Sequence, residues 1–367
     1  MRLDTNTRGG RADPGLAVDA LLSPRRRLLL QGLAAAALAA GGGARTAAMP
    51  AVRFGGPAMG STYTVKIAGP RLAASAEVAA QRAVEAALGD VVARMSTYDA
   101  NSELARFNRH PSVAPFALSA DTLAVLALAQ EVSAATDGAF DVTVAPAVDA
   151  WGFGPTKVAR VVAGDELAAL APRVGWRMLA LDPRSGTAAK ARPDVRADLS
   201  GIAKGWAVDR AAAALDAQGI ADYMVEAGGE VRTRGRNAAG QPWQIAIERP
   251  DAEPQRAHRI VPLSGLAMAT SGDYRIWFER DGTRYCHEID PVTARPVAHG
   301  LASVSVVARD CGYADAMATG LFVLGPERGF ALAQRQGIAA HFIVRDGRGG
   351  FRDVPTAAFA ALGAVAA

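Results

Sequence analysis

Three groups of residues in this 367-residue chain have types and spacings that can do chemistry. Asp315 and Thr319 stand four positions apart in a segment with helical apolar spacing, so their side chains share one face. A carboxylate and a hydroxyl on one face are oxygen ligands of the kind a hard cation takes. The plainer alternatives are a Thr319 bonded back to its own helix and an Asp315 that is solvated or caps it. The second group is 198–209, Asp-Leu-Ser-Gly-Ile-Ala-Lys-Gly-Trp-Ala-Val-Asp. Residues 188–197 before it are extended in character, and 208–218 after it are alanine-rich with helical spacing. This layout closes a strand with Asp198, turns at Ser200-Gly201 and puts Lys204 in the first turn of a helix. Unpaired N–H groups and an ammonium there suit an anionic phosphate. No Gly-Lys-Ser/Thr follows Gly201, so this is not a Walker A loop, and an ordinary strand–turn–helix corner fits the same residues. The third group is His287, ahead of Asp290-Pro291. Its imidazole has a pKa suited to a general base, or it simply bonds the turn. Asp290 either orients it or caps that turn.

The elements that must carry these groups are legible in outline. Residues 52–69 predict a strand pair, with Thr62, Tyr63, Thr64, Val65 and Ile67 suited to a sheet. Residues 75–95 predict an amphipathic helix with Val78, Val84, Leu88, Val91, Val92 and Met95 on one face. Ser119 predicts the N-cap of a second helix that stops at Gly138. Short strands and turns are expected over 177–200 and 223–277, a helix over 315–324 and a late strand over 339–346. Strand-rich and helix-rich runs mix without a strict βαβ rhythm, which predicts an α+β fold with antiparallel sheets.

Residues 1–48 read as a leader. Arg25-Arg26-Arg27 precede Leu28-Leu29-Leu30 and an alanine-rich run to Ala40, the twin-arginine pattern of a positive region before a short, weakly apolar one. Gln31, Gly32 and Gly41 interrupt the run, which is too short for a typical membrane span of about 20 residues. Small residues offer cleavage after Ala39 or Ala48, with an uncleaved anchor as the alternative. No cysteine lies nearby to carry a lipid. The leader holds seven arginines and three aspartates, so the net charge of +4 is entirely its own and residues 49–367 are neutral. Global charge therefore gives no case for nucleic acid or membrane binding. Cys286 and Cys311, the two cysteines, are expected as packed thiols, with pairing in an oxidising compartment as the alternative, and with five scattered histidines they suggest no transition-metal site.

The stretch 198–209 closely resembles the central motif of the ApbE family, the magnesium-dependent FAD:protein FMN transferases. Further segments match in order: 59–63, Met-Gly-Ser-Thr-Tyr; 95–104, with Met-Ser-Thr-Tyr-Asp and Asn-Ser-Glu-Leu; 136–141, Thr-Asp-Gly-Ala-Phe-Asp; and 151–154, Trp-Gly-Phe-Gly. They continue with 226–230, Glu-Ala-Gly-Gly-Glu; 271–274 leading to 287–291, His-Glu-Ile-Asp-Pro; and 314–319, Ala-Asp-Ala-Met-Ala-Thr. The resemblance implies a T-fold-like arrangement of antiparallel sheets and helices in one domain, 49–367. It implies FAD as donor, with contacts from Met59, Tyr98, Ala139, Phe140, Asp141, Asp198, Lys204 and Ile289. It implies Mg²⁺ held by the Gly201 carbonyl with Asp315 and Thr319, while residues 151–154 shape the pocket rim. FMN would pass to a threonine or serine of a client protein, a membrane flavoprotein subunit, as AMP leaves. His287 is then the candidate base. Twin-arginine export to the periplasm without a lipid anchor is similar to the branch linked to nitrous-oxide reductase maturation. An FAD pyrophosphatase releasing FMN and AMP, and a non-enzymatic exported FAD carrier, are the competing readings.

Overall fold

Met59 and Gly60 both take positive φ, 51° and 74°, which lets the chain reverse in two residues between strands Ala51–Ala58 and Ser61–Ala68. This hairpin, read in the sequence, starts the main sheet. The structure, a computed structural model, describes residues 51–70, 72–155, 158–251 and 254–367. The leader proposed at 1–48 lies outside the described residues. Eight antiparallel strands follow one another across the sheet: Ala51–Ala58, Ser61–Ala68, Tyr223–Ala227, Glu230–Arg234, Ala267–Gly272, Leu301–Ala308, Ala339–Arg345 and Phe351–Pro355.

Alternation along these strands feeds two cores. Val65, Val225, Ala269, Val306 and Phe342 face a helical layer, whereas Met224, Val231, Met268, Val307 and Ile343 face a small sheet of Trp243–Glu248, Ala257–Leu263 and Val365–Ala366. Helices Ala74–Met95, Ala120–Ala135, Ala203–Asp216 and Cys311–Arg335 form the helical layer. The Ala74–Met95 helix buries Val84, Leu88, Val91 and Met95 as the spacing predicts, but Val78 is 48% exposed near its free end. Ser119 does cap its helix, accepting from Thr122 N. The helical run predicted over 315–324 belongs to a longer element with a break at Gly325, whose φ of 81° precedes Pro326. A third cluster, with Trp151, Val162, Leu170, Ile289 and Ala294, joins residues 145–170 to the hairpins after 277.

One expectation needs correcting. Asp198 does not close a strand, because the strand Thr187–Lys190 ends eight residues earlier. Buried Lys190 is held by the carbonyls of Asn108, His110 and Pro193 at 2.8–3.1 Å, which turns the chain out of the sheet. Asn108 then clamps Ala197 from both sides, through its N–H and its C=O. The run 191–199 is irregular and pinned by side chains.

Candidate functional site

The helix Ala203–Asp216 begins after Ser200-Gly201, as the sequence predicts, and Ile202 gives it no side-chain cap. Most of its first N–H groups are engaged, Ala203 N with Leu199 O and Gly205 N with Asp315, so the ammonium of Lys204 is the main donor the turn offers an anion. Gly205 brings this helix onto Cys311–Arg335: a Cβ there would stand 2.3 Å from the Cys311 carbonyl oxygen and 2.8 Å from Asp315 Cβ. The approach lets Gly205 N donate to Asp315 Oδ2 at 2.9 Å. Asp209 reinforces it from one side, accepting from Cys311 N and Gly312 N at the start of the long helix.

Asp315 and Thr319 do share a face. A Cβ on Gly201 would lie 3.3 Å from Thr319 Oγ1 and from Phe140 Cε2, so the turn, the hydroxyl and the ring converge. Ser271 Oγ sits 2.9 Å from Thr319 Oγ1. Asp315 is buried, which raises its pKa against the pull of Lys204 and the Gly205 N–H. Among the described residues no group of three or more His, Cys, Asp or Glu could hold a metal ion. One carboxylate, a hydroxyl and a glycine backbone instead fit a hard cation that keeps waters and takes substrate phosphate oxygens. These residues thus fit magnesium.

Lys204 reaches Glu230, Nζ to Oε1 at 2.5 Å. Burial depresses the ammonium pKa, but Glu230 and Asp315 outweigh it and the net shift is upward. Gly228, at φ 66°, folds the Ala227–Glu230 turn against Lys204, and its N–H donates to Thr62 O beside the Met59 turn. Met59 is half-buried there.

A second cluster gathers around His287. Burial pulls its pKa down to about 4, so the ring is neutral at ordinary pH. Its Nδ1 lies 3.3 Å from the Ile276 carbonyl, which only accepts, so the proton sits on Nδ1 and Nε2 keeps its lone pair. Nε2 is 3.7 Å from Glu288, a carboxyl pushed up to about 8 by burial and by Asp315 and Asp273, against Lys204. Phe153 stands 6.5 Å from the His287 ring, and its carbonyl accepts from Tyr98 Oη at 3.4 Å. Burial raises the Tyr98 phenol, and the nearby Asp198 and Asp149 charges add to this. Asp198 accepts from the N–H and hydroxyl of Ser200, and burial still lifts its pKa above the usual range.

Not every candidate points a free group at the corner. Asp141 is buried, and its oxygens accept from Thr143 N, Thr143 Oγ1 and Trp176 N, so it organises its loop. Phe140 packs beneath Gly201, and Ala139 is buried beside it. Ile289 lies in the third core with Trp151, so residue 151 is core, and Phe153 packs partly buried at the edge of that core near His287. Sequence reasoning left out Ser271 and Glu288, and left Glu230 in a glycine turn without naming Lys204 as its partner. All three lay inside matched segments, but strand order alone brings them to the corner.

The ApbE family model matches residues 59–342. The chain is 44% identical over 310 residues to the FAD:protein FMN transferase of Vibrio cholerae, covering 84% of this chain and 91% of that protein. It is 43% identical over 303 residues to the Haemophilus influenzae protein of the same name, covering 81% and 88%. Among solved structures, the flavin transferase ApbE from Vibrio cholerae superposes with a TM-score of 0.78 at 43% identity, over 86% of this chain and 99% of that one. The apo flavinyl transferase ApbE of Pseudomonas stutzeri gives 0.78 at 41% identity, over 86% and 97%. The α+β architecture is the one these structures have, and the chain belongs to the ApbE family.

Proposed function

We propose that this protein transfers FMN from FAD to a threonine or serine hydroxyl of a client protein, releasing AMP. The bond that breaks joins the two phosphates of FAD, and the bond that forms joins the flavin-side phosphorus to the client oxygen. The observation that carries this reading is the convergence of Lys204, Asp315, Thr319 and the Gly201 turn on one corner. Lys204 binds pyrophosphate oxygens. Asp198, with the Tyr98–Phe153 rim, lies toward His287 and suits the ribityl and ring end of the flavin. Gly201, Asp315 and Thr319 would hold Mg²⁺, which when bound neutralises charge on the phosphates. His287 Nε2, unprotonated, accepts the proton of the client hydroxyl. Anionic phosphate beside it stabilises the imidazolium so formed.

Incubation of the purified protein with FAD, Mg²⁺ and a client flavoprotein domain tests this. FMN bound to the client supports the reading. Free FMN with no client labelling would make the protein a pyrophosphatase, and FAD bound without turnover would make it a carrier. The leader pattern supports a periplasmic site of action reached by twin-arginine export, with an uncleaved inner-membrane anchor as the alternative and a membrane flavoprotein subunit as the proposed client. Joint replacement Arg25→Lys, Arg26→Lys and Arg27→Lys should hold the protein in the cytoplasm, and unchanged export would remove that assignment.

A further inference from the structure

Glu230 opens its strand directly after the Gly228-Gly229 turn and is 1% exposed. Its Oε1 holds Lys204, while Oε2 is buried without a hydrogen-bond partner. A half-satisfied buried carboxylate is costly, and such groups are scarce in folded proteins. The turn is shaped around it: a Cβ on Gly228 would stand 3.3 Å from Lys204 Cδ and 3.4 Å from Glu230 Oε2. Lys204 faces Glu230 from the corner helix, and Asp315 and Cys311 face it from the long helix.

Resting on the flavinyl-transfer reading, we propose that Glu230 is a positioning residue. It holds the Lys204 ammonium at the corner in the flavin-free protein and yields it to the FAD pyrophosphate, its carboxylate taking one proton from solvent. The reason is competition. Two anions cannot both keep one ammonium in a buried site that already contains Asp315. The phosphates stay ionised, so the carboxyl is the partner that becomes neutral. Burial already raises its pKa against the pull of Lys204, and the Asp315 charge adds to the rise. Protonation also gives the orphaned side of the group an O–H to donate.

The test is FAD binding to the full-length protein without Mg²⁺, in EDTA, so that no flavin is consumed. Binding that takes up a proton weakens as pH rises. Over about pH 6 to 9 the parent's FAD affinity should fall, by at most about tenfold per pH unit. Calorimetry in PIPES and in Tris should report proton uptake by the parent. Glu230→Gln should bind FAD with a flat pH profile and no uptake, whereas Glu230→Asp should keep both. The same pH slope in parent and Glu230→Gln would overturn the proposal. Should Glu230→Gln fail to fold, calorimetry of the parent decides alone, and zero uptake overturns it. A parent that binds no FAD at any pH defeats the flavinyl-transfer reading itself, and this proposal with it.

Discussion

Gly205→Ala probes the contact on which the corner depends. The added methyl would meet the Cys311 carbonyl oxygen at 2.3 Å, its carbon at 2.6 Å and Asp315 Cβ at 2.8 Å. Ordinary contact is about 3.5 Å, so the two helices must part by roughly 1 Å. Overpacking of this kind costs about 1–3 kcal/mol. Stretching the Gly205 N–H bond to the Asp315 carboxylate adds about 1.5–3 kcal/mol. The same shift carries Gly201 and Lys204 away from Thr319 and Asp315, and a misplacement of that size costs on the order of a hundredfold in rate. Thermal unfolding and single-turnover FMN transfer on one preparation read both effects. Gly89→Ala is the control, a helical glycine with nothing within 4 Å of the new methyl, expected to be neutral or slightly stabilising. If Gly205→Ala melts and transfers like the parent, the helix contact does not hold the site together.

Asp315→Asn keeps the shape and removes the one carboxylate assigned to the cation, so FAD should still bind while transfer falls by several kcal/mol in barrier, partly restored by high Mg²⁺ or Mn²⁺; full activity at low Mg²⁺ would remove the metal assignment. His287, held near 4 by burial, should leave kcat at saturating FAD level from neutral pH down until about pH 4, and His287→Gln should lose that acid limb along with most transfer; an acid limb in the parent near 6.5 would refute a base depressed by burial. His341 is buried with both ring nitrogens lacking hydrogen bonds, and its pKa is lowered to about 4 by burial, with Asp353 opposing. The unfolded chain therefore takes the proton first, so this contribution is full above about 6.5 and is lost as pH falls toward 4, by up to about 3 kcal/mol. Melting temperature against pH for His341→Leu should show a shallower acid slope, and an identical slope would refute the assignment.

The elements that could be read from the sequence are those whose signal is local. A strand pair over 52–69 and a serine cap at 119 rest on signals within a few residues and form as expected, and the apolar spacing from 75 to 95 gives its helix with Val84, Leu88, Val91 and Met95 buried. The helix at 315–324 was legible up to Leu324 because Gly325-Pro326 breaks it there. Asp198 shows the limit. Its flank is extended in composition, but Asn108, ninety positions away, and the carbonyl trap around Lys190 decide that it is not sheet. Val78 points the same way: its spacing is right, but it stands exposed among the described residues.

Types of group at the site were legible, and their partnerships were not. Lys204 in a first helical turn suits an anion site from sequence alone, but an ordinary strand–turn–helix corner fits the same residues. That it is held by a carboxylate buried on a different strand depends on the strand order, which places Tyr223–Ala227 and Glu230–Arg234 beside the first hairpin and under the corner helix. The same dependence separates Asp141 from Asp315. Both are buried acids in matched segments, but Asp141 has three donors supplied by its own loop and Trp176, and Asp315 faces Lys204 and a glycine turn. A carboxylate with three donors holds structure together, whereas one kept beside an ammonium and a hydroxyl can serve a ligand. That difference is why the pyrophosphate chemistry is proposed for the Gly201–Lys204–Asp315–Thr319 corner, whereas Asp141 organises its own loop.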